Sequence, residues 1–111
     1  MYVDNKIVSA DCHGPAALAA VTLPNGEFMI KGKRLTAKSN AEESNWAKEN
    51  YPFMLESRLK KHQALYSAGK PRQAFVVQDD NLLTGQNPAS AEPLTKQLIA
   101  MLRDKRNTAK N

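Results

Sequence analysis

The stretch "KIVSADCHGPAAL", residues 6–18, places the tightest demand on what this chain can fold into. Ile7 and Val8 are β-formers, and Gly14-Pro15 ends any strand they begin. Pro15 suits the first turn of a helix, where its missing N–H costs nothing, and "PAALAAV" over 15–21 continues as a short helix. Strand, sharp turn and helix must therefore meet at Cys12, His13 and Gly14. A cysteine at such a junction lies near the free N–H groups of the helix start. Those groups favour a thiolate and lower its pKa. Gly14 permits the tight turn because it has no Cβ. The same N–H groups suit an oxyanion. This is the logic of a strained elbow that lifts a nucleophile above a sheet.

The residues alone leave two readings open. Cys12 is either an activated nucleophile or a small buried hydrophobe beside a surface histidine. Adjacent side chains diverge, so His13 need not touch Cys12. Glu42 and Glu43 face different directions on a helix, and capping accounts for Glu43. His62 sits among lysines and reads as solvated. Trp46 and Phe53 read as core. One cysteine and two histidines make no zinc set at any familiar spacing, so no metal is expected.

Downstream, "LPNG" at 23–26 is a turn, and "EFMIKGKRLTAK" reads as a hairpin or two short strands broken at Gly32. "NAEESNWAKENYP" reads as a helix, with Asn40 as cap and Glu43 closing a capping-box pattern. Pro52 starts the next helix, with Phe53, Leu55 and Leu59 on its apolar face. "RQAFVVQDDNLLTGQ" is a strand pair turning at Asp80-Asn81. "SAEPLTKQLIAMLRDK" is an amphipathic helix capped by Ser90, with Leu94, Leu98, Ile99 and Leu102 as its buried stripe. Strands alternate with helices, which points to an α/β sheet covered by helices.

With 111 residues, 41% of them hydrophobic, the chain has enough apolar surface for one core and one domain. No apolar run reaches the ~20 residues of a membrane span, and no leader pattern is visible at the N-terminus. A single cysteine forms no internal disulfide, so a cytoplasmic location is expected. Much of the net charge of +5 falls in "LRDKRNTAKN". Arg103, Lys105, Arg106 and Lys110 face only Asp104 there. That pattern suits a solvated helix end, with residues 105–111 as a flexible basic tail after a domain spanning 1–104. No nucleic-acid motif accompanies the charge, so no nucleic-acid partner is expected.

Four segments, in order, resemble the ThiJ/PfpI family, in its glyoxalase III and heat-shock chaperone branch near the class I glutamine amidotransferases. "KIVSADCHGPAAL" resembles the nucleophile elbow. "KRLTAKSNAEE" looks like a threonine followed by an acidic pair. "YPFMLESRL" is similar to the family's Pro-Phe helix. "FVVQDDNLLTGQNPASA" resembles its last hairpin and loop. The resemblance implies a flavodoxin-like three-layer α/β sandwich, here incomplete, with only the C-terminal half matched.

It also implies that Cys12 is the nucleophile and His13 its acid/base neighbour. Gly14, Gly85, Gln86 and Asn87 would belong to the turn and loop beside the site. The implied substrate is a 2-oxoaldehyde, handled without glutathione and with no cofactor. Family members are roughly twice as long, and their first half carries a catalytic glutamate with no counterpart here, since every glutamate of this chain follows the elbow. Asp11 stands where the family usually has an apolar residue, and an acid there disfavours a neighbouring thiolate. The elbow strand is central in the full fold, so an open edge and a homo-oligomer are expected. The alternatives to an enzyme are a non-catalytic remnant that binds and oligomerises, and a redox sensor acting through Cys12.

Overall fold

The computed structural model describes residues 6–110. Residues 1–5, part of the stretch inspected for a leader, and Asn111 lie outside them. A three-stranded sheet has the order β1 (Val8–Asp11), β5 (Leu82–Gly85), β4 (Val76–Asp79). β1 runs parallel to β5, with Val8 opposite Leu82 and Asp11 opposite Gly85. β4 is antiparallel to β5. The connecting turn places Asp80 at φ 53°, a left-handed conformation that aspartate tolerates better than most residues. β5 lies in the middle and is fully buried; Leu82, Leu83 and Thr84 expose nothing.

One face of the sheet carries α4 (Ala91–Lys110), which packs on β5 and β1. The other face carries α1 (Ala16–Ala19), α3 (Leu55–Lys61) and a small parallel pair, β2 (Arg34–Leu35) with β3 (Leu65–Tyr66). Ile30, Leu35, Leu55, Leu59 and Leu82 form the core between them. The result is a mixed α/β structure with helices on both faces, as the alternating pattern predicts.

Several local expectations are corrected. Residues 27–38 form no hairpin. Thr22 and Phe28 make one antiparallel bridge, and the chain turns at Gly32 (φ 73°). β2 then pairs with β3, because Gly32 N–H donates to Gln63 O and Leu65 N–H to Lys33 O. The helix expected through residue 65 therefore stops at Lys61.

The helix expected across 40–51 is two pieces. A 3₁₀ turn, Asn40–Glu42, precedes α2 (Asn45–Asn50), which Ser44 caps by accepting from Ala47 N–H. The capping box is Ser39 with Glu42, one residue earlier than Asn40 with Glu43. At the last helix Asn87, not Ser90, caps the entering 3₁₀ turn Pro88–Ser90. Met101 is the buried residue of α4, with Leu94 and Leu98 half-buried, while Ile99 and Leu102 face out. The α4 backbone extends to Lys110.

Candidate active site

Cys12 adopts φ 59°, a conformation that costs an L-residue on the order of 1 kcal/mol or more and persists only where its surroundings enforce it. Three backbone bonds do so. Cys12 N–H donates to Gly85 O at 3.0 Å, Lys38 N–H donates to Cys12 O at 2.8 Å, and Gly14 N–H donates to Asp11 O at 2.7 Å. Gly14 is required by that closeness, since a Cβ there would lie 2.9 Å from Asp11 O. A Cβ on Gly85 would lie 2.7 Å from Asp11 Oδ1. Cys12, His13, Gly14 and the Gly85 backbone thus form one elbow.

His13 finds its partner thirty positions along the chain. Its Nε2 lies 2.8 Å from Glu43 Oε1. The Glu43 side chain is 1% exposed and the His13 ring 42%. Lys38 Nζ stands 3.6 Å from the same carboxylate oxygen, and Tyr51 meets the His13 ring edge-on at 5.6 Å. The second Glu43 oxygen is buried without a hydrogen bond.

Glu43 reaches this place because Glu42 is fixed beside it. Glu42 Oε1 accepts from Ser39 N–H, Ser39 Oγ and Gln86 Nε2, and its Oε2 accepts from Arg72 N–H and Asn87 Nδ2. Burial alone would raise the Glu42 pKa, but these donors outweigh it and hold the value at about 2. The extended backbone at Glu43 then sends the second carboxylate to the opposite side, toward His13.

The thiol departs from expectation. The Cys12 pKa is raised, first by burial, with Asp11 and Glu42 adding to the rise and Lys38 opposing it. The helix start expected to depress it has only four residues, too few for a strong dipole. Asp11 is itself raised by burial, and its Oδ1 is buried without a partner.

Gln86 and Asn87 lie beside the elbow in sequence but point elsewhere. Both are buried, and both donate to Glu42. Gln86 also receives Gly69 N–H at 2.7 Å, and Asn87 donates to Gln73 O at 2.7 Å. Their side chains tie the loop to the Glu42 clamp. His62 is not solvated as expected; it stacks on Phe28 at 3.9 Å and bonds the Ala19 carbonyl. Trp46 is no core residue either. It is 66% exposed and packs edge-on to Tyr51.

Sequence reasoning missed Glu43, Lys38 and Tyr51. The signal for Glu43 was the register of the capping box. Ser39 at the cap assigns Glu42 to capping and frees Glu43. Among the described residues no group of three His, Cys, Asp or Glu is placed to hold a metal ion. No described helix is long and apolar enough to cross a membrane.

No family model matches the chain. It is 32% identical over 107 residues to Glyoxalase 3 of Candida albicans, covering 90% of this chain and 45% of that protein. It is 31% identical to the glutathione-independent glyoxalase HSP31 of Saccharomyces cerevisiae, covering 94% and 47%. The human glutamine amidotransferase-like class 1 domain-containing protein 1 matches at 31%, covering 88% and 45%. Among solved structures, the rapid encystment protein of 24 kDa from Francisella tularensis superposes with TM-score 0.83 at 38% identity, covering 86% and 43%. Glyoxalase III of Candida albicans superposes with TM-score 0.80 at 32% identity, covering 89% and 44%. The chain spans about half the length of the curated relatives it matches. The elbow, the fold and these relatives are together consistent with a partial member of the ThiJ/PfpI family, matched over about half the length of those proteins.

Proposed function

We propose that this chain supports thiol-dependent conversion of a 2-oxoaldehyde to a 2-hydroxy acid, without glutathione. The observation that carries the reading is the His13–Glu43 pair at 2.8 Å, set beside a cysteine held at φ 59°. Glu43 takes the Nε2–H of His13 and leaves Nδ1 as the basic nitrogen. Cys12, deprotonated, adds to the aldehyde carbon and gives a hemithioacetal. A base removes the proton from that carbon and the neighbouring carbonyl carbon receives one, leaving a thioester of the hydroxy acid. Water then cleaves the thioester, releasing the acid and the thiol. The net change is addition of one water to the oxoaldehyde. The proposed substrate-side residues are those of the elbow, with Gly14 and Gly85 shaping its backbone and Gln86 and Asn87 supporting it through Glu42.

The reading includes a second chain. β1 is an edge strand of its sheet, and the relatives carry about as many residues again. A copy of this chain, or one bearing the unmatched half, pairing along β1 would bring the family's further glutamate to Cys12 or shield the thiol from water. A single cysteine fits a reducing, cytoplasmic compartment.

One observation favours a second reading, a non-catalytic binding module: the thiol is raised rather than activated. The test is formation of 2-hydroxy acid from methylglyoxal, free of glutathione, by the wild type and Cys12→Ser, with the oligomeric state measured in parallel. Turnover lost in Cys12→Ser supports the enzyme. Equal background rates across a concentration series support the binding module and sink the enzyme.

A further inference from the structure

Lys38 stands between Cys12 of the elbow, which its backbone bonds, and Ser39 of the Glu42 clamp, which follows it in sequence. The chain is pinned on both sides of it. The Tyr66 hydroxyl donates to Ala37 O at 3.1 Å, and Ser39 N–H donates to Glu42 Oε1 at 3.2 Å. Lys38 N–H itself donates to Cys12 O at 2.8 Å. The side chain is then carried along the protein rather than out into water. It is 26% exposed, and its Nζ ends 3.6 Å from Glu43 Oε1. That is the oxygen His13 Nε2 meets at 2.8 Å, so a lysine and a histidine share one carboxylate oxygen. An exposed lysine gains little from a single carboxylate. Here the carboxylate is buried, and losing a cation from it leaves its charge less well compensated.

The charged groups facing Cys12 come from several segments, and most are acidic. Asp11 ends β1, Glu42 ends the 3₁₀ turn, and Glu43 follows it and holds His13. Lys38 is the cation set against them. We propose that Lys38 is a positioning residue for the Cys12 thiolate. Held at Glu43 Oε1, its ammonium fixes that carboxylate against His13 and opposes the acidic groups around the sulfur. The same balance shows at the thiol itself. Burial pushes it up most, Lys38 pulls it down, and Asp11 and Glu42 push it up again. This inference rests on the proposed thiol chemistry for its effect on turnover. Its effect on the ionisation of Cys12 is testable without turnover.

Cys12 is the only cysteine of the chain, so its alkylation reports on one position. The probe is iodoacetamide, with the rate followed by intact mass across a pH series. Lys38→Met keeps an unbranched side chain and removes the charge. An opposite charge at close range shifts a titration by about one unit or more, and partial exposure screens it. The alkylation midpoint is therefore expected to rise by roughly half a unit to one unit, a roughly three- to tenfold slower reaction below the midpoint. Lys38→Arg keeps the charge and should hold the midpoint near that of the wild type. Lys31→Met removes an equal charge from an exposed pair with Glu27 and should leave it unmoved. Circular dichroism checks the fold, and Lys38→Gln replaces Lys38→Met if that variant does not fold.

An unshifted midpoint in the folded neutral variant overturns the inference. So does a shift that Lys38→Arg shares in full, since charge is then not its cause, or one that Lys31→Met reproduces. A second arm measures kcat/KM for methylglyoxal across the same pH series, where the neutral variant should lose roughly three- to tenfold near neutral pH and recover as pH rises. A shifted midpoint without turnover in the wild type supports the role of Lys38 and rejects the enzymatic reading. Turnover with an unshifted midpoint rejects the role of Lys38 and leaves the enzyme.

Discussion

Glu42 and Glu43 are neighbours in sequence and opposites in circumstance. Glu42 satisfies both oxygens with donors from three separated segments, at Ser39, Arg72 and Gln86–Asn87. Glu43 meets His13 and Lys38 through one oxygen and leaves the other buried without a hydrogen bond. The first environment is saturated and resists change. The second stores unmet hydrogen-bonding capacity beside a strained cysteine. One region therefore carries stability and the other carries chemistry, and a one-residue step separates them.

Removing the clamp gives the largest expected effect on folding. Glu42→Ala strands the buried amides of Gln86 and Asn87 and should cost about 3 kcal/mol in urea unfolding. A loss below ~1 kcal/mol would break the comparison. The same carboxylate has a pH signature. Its pKa in the folded protein lies below the ordinary 4.5, at about 2. Its contribution is complete above about pH 5 and disappears as pH falls through the folded value. On the order of 3 kcal/mol should vanish over that interval. Glu42→Gln should flatten this acid limb.

Glu43→Gln should behave differently. It keeps the size of the side chain and removes a buried charge, so stability should stay within about 1 kcal/mol of wild type. Turnover of the oxoaldehyde should fall by roughly 10- to 100-fold, because His13 loses the partner that sets its basic nitrogen. If both glutamate variants moved stability equally, the division between the two regions would fail.

The smallest effect is at Asp11. Its buried carboxyl has an unpaired oxygen and raises the neighbouring thiol. Asp11→Asn removes the charge with little change of shape, and should shift the onset of Cys12 alkylation to lower pH. An unchanged pH profile would show that Asp11 has no hold on the thiol.

What was legible in the sequence was local. Cys12, Gly14 and Pro15 specify the elbow within a few residues, and Asp80-Asn81 specifies the β4–β5 turn in the same way. What was hidden depends on distance or on a one-residue register. β2 and β3 have two residues each, too short for any alternation to show. Their pairing joins residues 31 positions apart. The His13–Glu43 contact spans 30 positions and follows from which serine caps the 3₁₀ turn. On α4 the apolar residues are dense enough that several stripes fit the helical period. Only packing on β1 and β5 selects Met101 over Leu102.

The register of β1 against β5 has a consequence for how the protein comes to exist. Val8 pairs with Leu82, so the strand leading to Cys12 closes a loop of most of the chain. Such closures are slow, since their entropy is lost before any contact compensates it. During synthesis β1 emerges before β5 and waits, unpaired with it, until β5 has left the ribosome. The nucleophile is thus made well before the strand that places it.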